Sequence, residues 1–327
     1  MNYSAFFDLE GPLSPQDNAY EVLGLADNGH RVFEVISRYD DVLTLEGRRD
    51  YEPGDTLKLI VPFLIYHGIM ERDIRRVSRR GKIVDGAKEV ISELKKRDWR
   101  VRIISTSYEQ HAHNIGRNVG VSPENIACTR FPLDEYNATI SGKDLSLVGE
   151  LEKQIIRDFP GHKEAEIVKR LDDFFFERLP KTPLGKIFGD IMVIGGQRKV
   201  EAMLNFIRKD GAKISRCMAI GDSITDYKML KNISDGGGLA IAFNGNEYSI
   251  PYADIGIASE DMRPLLTFAD AFAKGGSNSG RALARRMENG NPTIKCLANA
   301  DEEKLRDAIT LHGQYREKVR GEAGKLG

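Results

Sequence analysis

Short, almost continuously apolar runs alternate along the chain with segments in which apolar residues recur every three or four positions. The apolar runs predict buried strands, and the periodic segments predict amphipathic helices. Strands that are apolar on both faces and alternate with helices are typical of a parallel sheet covered on both sides. The pattern therefore predicts an α/β fold with a doubly wound, Rossmann-like parallel sheet. The predicted strands are residues 5–7, 101–104, 125–128, 217–220, 239–243 and 254–257.

Two segments interrupt this alternation. Residues 14–83 are helical in pattern and follow the first strand directly, which predicts a helical cap, and residues 141–190 form a second, charged insertion. The sheet core is expected to comprise what remains before the C-terminal region: residues 1–13, 84–140 and 191–275.

The C-terminal region differs from the core in composition. Gly275–Gly280 is rich in glycine and serine, which predicts a hinge or linker. Residues 276–327 are then expected to form an appended unit, with a strand at Thr293–Leu297 and a charged helix at Asp301–Arg320.

Polar residues follow several of the predicted strands. Asp8 comes directly after the first strand, Ser105 after the second, and Asp222 just past the fourth. Because the crevice of a doubly wound sheet lies at the carboxyl ends of its strands, these side chains are expected to converge. Two more carboxylates, Glu10 and Asp226, lie near them in the sequence.

Carboxylates together with a hydroxyl and a lysine suit metal-assisted phosphoryl transfer. Mg²⁺ prefers a few carboxylates, waters and phosphate oxygens. One carboxylate can attack phosphorus and carry the phosphoryl group, and another can move the proton of the leaving group. Lys199, at the start of a predicted helix, and Ser105 can orient the phosphoryl oxygens.

Composition narrows the class of protein. The 327 residues include 48 basic and 49 acidic side chains and are 41% hydrophobic, which excludes a disordered chain and disfavours a nucleic-acid partner. No apolar stretch is long and uninterrupted enough to span a membrane, and no signal peptide is visible. Three scattered cysteines predict reduced thiols. We therefore expect a soluble, cytoplasmic protein; a homo-oligomer stays open.

The ordered motifs resemble the haloacid dehalogenase (HAD) superfamily, whose first motif is Asp-x-Asp after a strand. Residues 104–108, Lys199 with Met203-Leu204, residues 219–230 and Leu239–Asn244 are similar to its phosphoserine phosphatase branch. The element Gly221-Asp222-Ser223-Ile224-Thr225-Asp226 is the most specific. The resemblance covers the core, is weak in the insertion and is absent after about residue 276.

The resemblance implies a role for each matched residue. Asp8 is the expected nucleophile and a Mg²⁺ ligand, and Glu10 is the expected acid and base, with its backbone carbonyl on the metal. Ser105, with Thr106 beside it, is expected to bind the phosphoryl group. Asp222 is expected to ligate Mg²⁺. Lys199 is expected to link the phosphoryl group to Asp8, with Asp226 orienting Lys199 or a metal-bound water.

Two positions depart from the family pattern. Glu10 stands where the family usually has Asp, and Pro12 stands where it usually has Thr. Because Glu is longer by one methylene, its carboxyl must fold back to reach the same proton. The spelling Asp-Leu-Glu-Gly also resembles a phosphoserine:homoserine phosphotransferase of this superfamily, so an alcohol could replace water as the acceptor.

Three other features allow two interpretations each. Asp17 could contact an amino group of the substrate or cap a helix. The basic segment Arg72–Lys82 is either a solvated helix face or a cap surface that faces the site and attracts an anionic substrate. His111 and His113 are two residues apart on a predicted helix, so they face different sides and favour structural roles over a metal pair.

The sequence thus predicts a Mg²⁺-dependent phosphatase that acts on a small phosphorylated metabolite through an aspartyl-phosphate. One alternative is phosphotransfer to an alcohol. The other is a binding or assembly protein of the same fold, because neither the 141–190 insertion nor the C-terminal unit is needed for the chemistry.

Overall fold

Seven strands form one sheet in residues 3–325, which the computed structural model describes. Their order across the sheet is β3-β2-β1-β4-β5-β6-β7, and every neighbouring pair is parallel except β6 and β7. This arrangement confirms the predicted doubly wound α/β sheet. The strands are β1 (Ser4–Phe7), β2 (Arg100–Tyr108), β3 (Ile126–Thr129), β4 (Cys217–Gly221), β5 (Leu239–Phe243), β6 (Ile255–Ile257) and β7 (Ile294–Cys296).

Fifteen α-helices lie in the described residues. In chain order they are α1 (Asn18–Leu23), α2 (Gly29–Leu45), α3 (Thr56–Leu59), α4 (Val61–Tyr66), α5 (Glu71–Ser78), α6 (Ala87–Lys96), α7 (Glu109–Val119), α8 (Leu133–Thr139), α9 (Ser146–Arg157), α10 (Glu164–Asp172), α11 (Pro183–Asp190), α12 (Gln197–Asp210), α13 (Tyr227–Asp235), α14 (Pro264–Glu288) and α15 (Glu302–Arg320). None of the helices in residues 3–325 has the length and apolar character needed to cross a membrane.

The two faces of the sheet are covered by different helices. Phe7 of β1 belongs to the apolar cluster formed with α6, α7 and α14, whereas Phe6 belongs to the cluster formed with α12 and α13. Successive side chains of a strand point to opposite faces, so a fully apolar strand is buried by both helix layers. This burial on both sides holds β1 rigidly in the middle of the sheet.

β2 is longer than the sequence indicated. The prediction that it ends at Ser105 is wrong, because the strand continues to Tyr108 with a register shift against β3 between Ile104 and Tyr108. The polar run Ser105-Thr106-Ser107 therefore lies within the strand rather than after it, and this placement fixes its backbone.

The predicted cap and the 141–190 insertion share one hydrophobic core. Phe33 and Phe63 from the first segment pack in the same cluster as Val148, Phe174 and Phe175 from the second. Residues 174–176 are three consecutive phenylalanines, a run expected to serve a core or a subunit contact. Phe174 and Phe175 are buried in this core, on a π-helical turn at Asp173–Arg178. Together the two segments form one helical layer.

The C-terminal region is built into the sheet. Gly275–Gly280 is predicted to be a hinge or linker, and the helix does break at Gly275 and Gly276 (φ 70°). A free linker is wrong, because the residues after the break are helical and Gly280 and Ala284 are buried. The predicted strand and final helix are present as β7 and α15, and β7 pairs antiparallel with β6 at the edge of the sheet. The residues predicted as an appended unit therefore extend the same sheet.

Candidate active site

Asp8 lies at the carboxyl end of β1, between β2 and β4. Every residue of β1 is buried, and the Asp8 backbone N–H continues the strand ladder by donating to the Ile220 carbonyl oxygen at 2.8 Å. The backbone of Asp8 is thus fixed by the centre of the sheet, and the residue is only 3% exposed.

Lys199, near the start of α12, places a buried ammonium group between two carboxylates. Its Nζ donates to Asp8 Oδ1 at 2.7 Å and to Asp226 Oδ1 at 2.7 Å. Burial favours the neutral amine, but the carboxylates of Asp226 and Asp8 outweigh it and raise the pKa of Lys199. Burial also raises the pKa of Asp8, with repulsion from Asp226 adding to it and the charge of Lys199 opposing it. The described contacts engage Oδ1 of Asp8 and leave Oδ2 available for chemistry.

Asp226 anchors the loop that follows β4. Its Oδ2 accepts the backbone N–H groups of Asp222 at 3.0 Å and Ser223 at 3.2 Å. The loop can approach this closely because Gly221 has no Cβ. A Cβ at that position would lie 2.6 Å from the Cβ of Asp226, which is too close. Both oxygens of Asp226 are therefore engaged, one by Lys199 and one by the loop, which favours an anchoring role.

Asp8, Asp222 and Asp226 come together as a group able to hold a metal ion. One oxygen from each lies within 4.8 Å of the others, and all three residues are buried. Oδ1 of Asp222 is buried without a hydrogen-bond partner, although a buried carboxylate oxygen ordinarily has one. A hard divalent cation such as Mg²⁺ satisfies such an oxygen, so the donor set fits the metal that the motifs predict.

Two arginines of α15 contact Oδ2, the other oxygen of the Asp222 carboxylate. Arg316 Nη1 donates to Asp222 Oδ2, and Arg320 Nη1 donates to it at 2.9 Å. Their side chains are only 5% and 6% exposed. Neither arginine was predicted from the sequence. The available signal is the four-residue spacing of Ala308, His312, Arg316 and Arg320, which places them on one helix face.

Gly11 permits the first loop to approach Asp222. Its φ of +105° is one that residues with a Cβ rarely adopt, and a Cβ there would lie 2.6 Å from Asp222 Oδ1. Gly11 therefore links the loop that carries Glu10 to the position of the Asp222 carboxylate. This link was not predicted from the sequence.

Glu10 is buried beside a histidine. Its Oε1 accepts the backbone N–H of Asn18 at 2.9 Å and lies 3.6 Å from Nε2 of His111. Burial, with repulsion from Asp17 second, raises the pKa of Glu10 to about 8. Burial lowers the pKa of His111 to about 3, so this histidine is neutral, with Nδ1 against the Ser78 hydroxyl at 2.9 Å.

These contacts can be compared with the roles expected for Glu10, His111 and His113. The Glu10 side chain lies outside the three-carboxylate group found in residues 3–325, which agrees with a backbone contribution to the metal and an acid-base role for the side chain. His111 is buried as a structural residue would be, yet its proximity to Glu10 was not predicted. His113, as expected from the spacing, faces elsewhere and lies near Cys128.

A cavity of about 70 Å³ lies over Asp8 between the sheet and the helical layer. Asp8, Glu10, Thr106 and Arg320 are among its lining residues, together with Phe33, Ser37, Asp40, Thr56 and Leu57 of the helical layer. Ser105 is 1% exposed, and its hydroxyl accepts the Ser107 backbone N–H at 3.1 Å. Of the two residues predicted to bind phosphate, Thr106 therefore faces the cavity, and Ser105 lies beside it in β2.

The structure gives the positions of the two remaining ambiguous features, Asp17 and the basic segment Arg72–Lys82. Asp17 caps α1 by accepting the Tyr20 N–H at 2.9 Å, and it also lines the cavity, so both interpretations stay compatible with its place. The view that Arg72–Lys82 faces the site is wrong. Arg75 and Arg79 line a separate cavity against α7, and Arg75 and Arg76 form ion pairs with Glu71 and Asp73.

Comparison with known structures shows which solved proteins share this fold. A gene product of Archaeoglobus fulgidus is 29% identical, with a TM-score of 0.85 over 99% of this chain and 99% of that one. Structures of phosphoserine phosphatase, one a phospho-aspartyl intermediate analogue and one with substrate bound, are each 18% identical, with a TM-score of 0.54. They cover 82% of this chain and 98% of theirs. No protein-family model and no curated protein matches the sequence.

The chain shares the fold of these phosphoserine phosphatase structures, which is the fold that the motifs predicted. The similarity to the archaeal structure extends over nearly the whole chain, so it includes the C-terminal strand and helix that the motifs leave unexplained.

Proposed function

We propose that this protein is a Mg²⁺-dependent phosphatase of the phosphoserine phosphatase-like branch, which hydrolyses a small phosphorylated metabolite through an aspartyl-phosphate on Asp8. The observation that carries the proposal is the buried Asp8–Lys199–Asp226 cluster beside the unpartnered Oδ1 of Asp222. The phosphoserine phosphatase structures with a phospho-aspartyl analogue and with substrate support the same chemistry.

In the first step, Oδ2 of Asp8 attacks phosphorus while the bond from phosphorus to the leaving oxygen breaks. Glu10 gives its proton to that oxygen, and a pKa of about 8 means that this proton is present at neutral pH. The Lys199 ammonium stays on Asp8 and balances negative charge next to the phosphoryl group. Thr106, on the cavity wall, is positioned to bind a phosphoryl oxygen, with Ser105 next to it.

In the second step, the Glu10 carboxylate accepts a proton from water as the water oxygen attacks phosphorus. The bond from phosphorus to Asp8 breaks, which releases inorganic phosphate and returns Asp8 and Glu10 to their starting states. Bound at Asp8 and Asp222, with the Glu10 backbone carbonyl, Mg²⁺ would neutralise charge on the phosphoryl oxygens.

The cavity supports a small substrate. Its volume of about 70 Å³ leaves little room beyond a phosphoryl group and a short carbon skeleton. A larger cavity of about 710 Å³ lies next to it and shares Ser37 of α2. We infer that the helical layer acts as the cap, and that its movement admits substrate and then excludes bulk water.

A screen of phosphorylated metabolites tests the proposal. Wild-type protein and the Asp8→Asn variant are assayed for phosphate release with Mg²⁺ and again after its removal with a chelator. We expect turnover only in wild type with metal, and a loss of at least about 10³-fold in Asp8→Asn because the nucleophile is gone. Equal phosphate release by both proteins would contradict the proposal.

Glu10 motivates a second candidate, transfer of the phosphoryl group to an alcohol. A carboxylate one methylene longer than the usual Asp, held at Oε1 by the Asn18 N–H, could deprotonate an alcohol in place of water. Product analysis with added alcohols such as serine or homoserine separates the two. Phospho-alcohol would support transfer, and phosphate alone would support hydrolysis.

A further inference from the structure

We propose that Arg316 and Arg320 are positioning residues of this active site, which hold Oδ2 of Asp222 so that Oδ1 is presented to the metal. The final helix α15 is then part of the catalytic centre rather than an accessory. This inference rests on the proposed function, because it concerns the metal ligand of the same site.

The contacts divide the two oxygens of Asp222 between two tasks. Both guanidinium groups donate to Oδ2, whereas Oδ1 is buried and has no partner among the described residues. A carboxylate held by one oxygen on two cations cannot rotate freely, so the direction of the other oxygen is set by the protein. Metal ligands are commonly fixed in this way by neighbouring hydrogen bonds.

Backbone carbonyl oxygens hold both arginines in place through hydrogen bonds to Nε. Arg316 Nε donates to the Gly324 carbonyl oxygen at 2.9 Å, and its Nη1 lies 3.3 Å from the carbonyl oxygen of Asp222. Arg320 Nε donates to the Pro15 carbonyl oxygen at 3.2 Å. Because Pro15 lies where the chain leaves β1 for the helical layer, Arg320 connects the metal carboxylate to the base of the cap.

The register of α15 aims both side chains at the site. His312, one turn before Arg316, accepts the Gly245 backbone N–H on Nδ1 at 2.9 Å. Burial, with the nearby charge of Lys295 second, lowers the pKa of His312 to about 3, so it is neutral and can accept this bond. Ala308, one turn earlier, is buried in a cluster with Ala242 and Leu297. The helix is therefore docked along a single face, and this face ends at Asp222.

The charges buried at the site also indicate that Asp222 needs the two arginines. Asp8, Asp222 and Asp226 are fully or almost fully buried, and Lys199 pairs with Asp8 and Asp226 rather than with Asp222. Asp222 therefore depends on α15 for its cations. Burying a carboxylate without a partner is costly, and the two guanidinium groups that donate to Asp222 offset that cost.

Metal binding by the full-length protein tests the inference separately from turnover. Binding of Mn²⁺, as a paramagnetic substitute for Mg²⁺, is measured by the loss of the free-ion electron paramagnetic resonance signal. We expect Arg320→Gln to raise the Kd for Mn²⁺ by about 10–100-fold, as for other residues that support a metal ligand. Arg320→Lys, which keeps the charge, should recover part of the affinity.

Lys318→Gln is the matched control. It removes one positive charge from the same helix, but Lys318 is 61% exposed and pairs with Glu260 on the surface. We expect its Kd to stay within about twofold of wild type, because exposed charges are screened by solvent. In phosphatase assays, Arg320→Gln should require more Mg²⁺ than wild type for its half-maximal rate, whereas Lys318→Gln should not.

The outcomes separate the two proposals. Unchanged or tighter Mn²⁺ binding by folded Arg320→Gln would overturn the inference, because the arginines would then be irrelevant to the ligand or compete with the metal. Absence of Mn²⁺ binding by wild type would overturn the proposed function itself, and the inference with it. If Arg320→Gln fails to fold, Arg320→Lys decides. Lysine has one donor nitrogen in place of the two that contact Asp222 and Pro15, so an affinity equal to wild type would contradict a positioning role.

Discussion

Two buried ionic clusters meet at this site, and they come from very different parts of the chain. In the first, Lys199 joins Asp8 and Asp226, all from elements of the predicted sheet core. In the second, Arg316 and Arg320 join Asp222, and both arginines come from the final helix. Each cluster supplies cations to carboxylates that could not be buried alone.

The difference between the clusters shows which site residues sequence motifs can identify and which they miss. In the proposed reaction the first cluster contacts the phosphoryl group directly, so its residue types would be dictated by that reaction. The second cluster contacts Oδ2 of Asp222, where only a hydrogen-bonding cation is required. Any element that packs nearby can supply such a cation. Three substitutions test this comparison. The first removes the cation of the first cluster, the second crowds Asp222 of the second cluster from the loop at Gly11, and the third replaces a buried carboxylate that is held without a cation.

Breaking the first cluster should have the largest effect on stability. Lys199→Met leaves Asp8 and Asp226 buried without their shared cation, which should lower the free energy of unfolding by about 3–5 kcal/mol. Urea unfolding measures the change. Lys209→Met, at an exposed position of the same helix, is the control and should change stability by less than about 0.5 kcal/mol. A similar small change in Lys199→Met would contradict the account.

Straining the contact between the first loop and Asp222 should have an intermediate effect. Gly11→Ala introduces a Cβ 2.6 Å from Asp222 Oδ1 at a φ of +105°. We expect a loss of about 1–3 kcal/mol of stability and weaker Mn²⁺ binding, because the carboxylate must move.

Gly313→Ala is the paired control for this substitution. Gly313 lies in α15, and a Cβ added there would meet open space, so alanine should be neutral or stabilise by up to about 1 kcal/mol. Metal affinity of Gly11→Ala equal to that of Gly313→Ala would show that the Asp222 carboxylate tolerates the displacement, against the account.

The last effect depends on pH and concerns Asp40, a buried carboxylate of the helical layer held by neutral donors. It accepts hydrogen bonds from the Tyr51 hydroxyl and from the Gly54 N–H at 3.1 Å. Burial raises the pKa of Asp40 to about 7, well above the value of about 3.9 in an unfolded chain. The native state therefore holds the proton more tightly, and the free energy of unfolding should fall as the pH rises from about 4 to about 7.

Asp40→Asn cannot titrate, so its stability relative to wild type should rise over that pH window and level off above about pH 7. Denaturant unfolding across the window measures the difference, with Asp307→Asn, at an exposed position of α15, as the control for losing a surface charge. A difference that is independent of pH would mean that Asp40 is not held as a protonated group.

Much of the core could be predicted from the sequence because its signals are local. Asp8 and Asp222 follow apolar runs, and a parallel sheet brings the ends of such runs together whatever lies between them. Lys199 could be predicted only through its resemblance to a known motif, since nothing in its own helix shows that Nζ would reach Asp8, 191 residues away.

The rest depends on packing between distant segments. The four-residue spacing of Arg316 and Arg320 marks a helix face, but not the surface on which that face docks. His111 likewise reveals nothing of Glu10, because their contact forms only when α7 packs against the first loop. Glycine and serine at 275–280 suggested flexibility, yet only Gly275 and Gly276 leave the helical conformation, and Gly280 after them is buried against Leu239 of β5.

The central claim is that Asp8 carries the phosphoryl group, and direct detection of that adduct tests it best. Wild-type protein is mixed with a substrate found in the screen, quenched in acid within one turnover, digested and analysed by mass spectrometry, with Asp8→Asn treated identically. The account predicts a phosphoryl adduct on the peptide that contains Asp8 in wild type and none in the variant. Turnover without an adduct at Asp8, or an adduct that persists in Asp8→Asn, would contradict it.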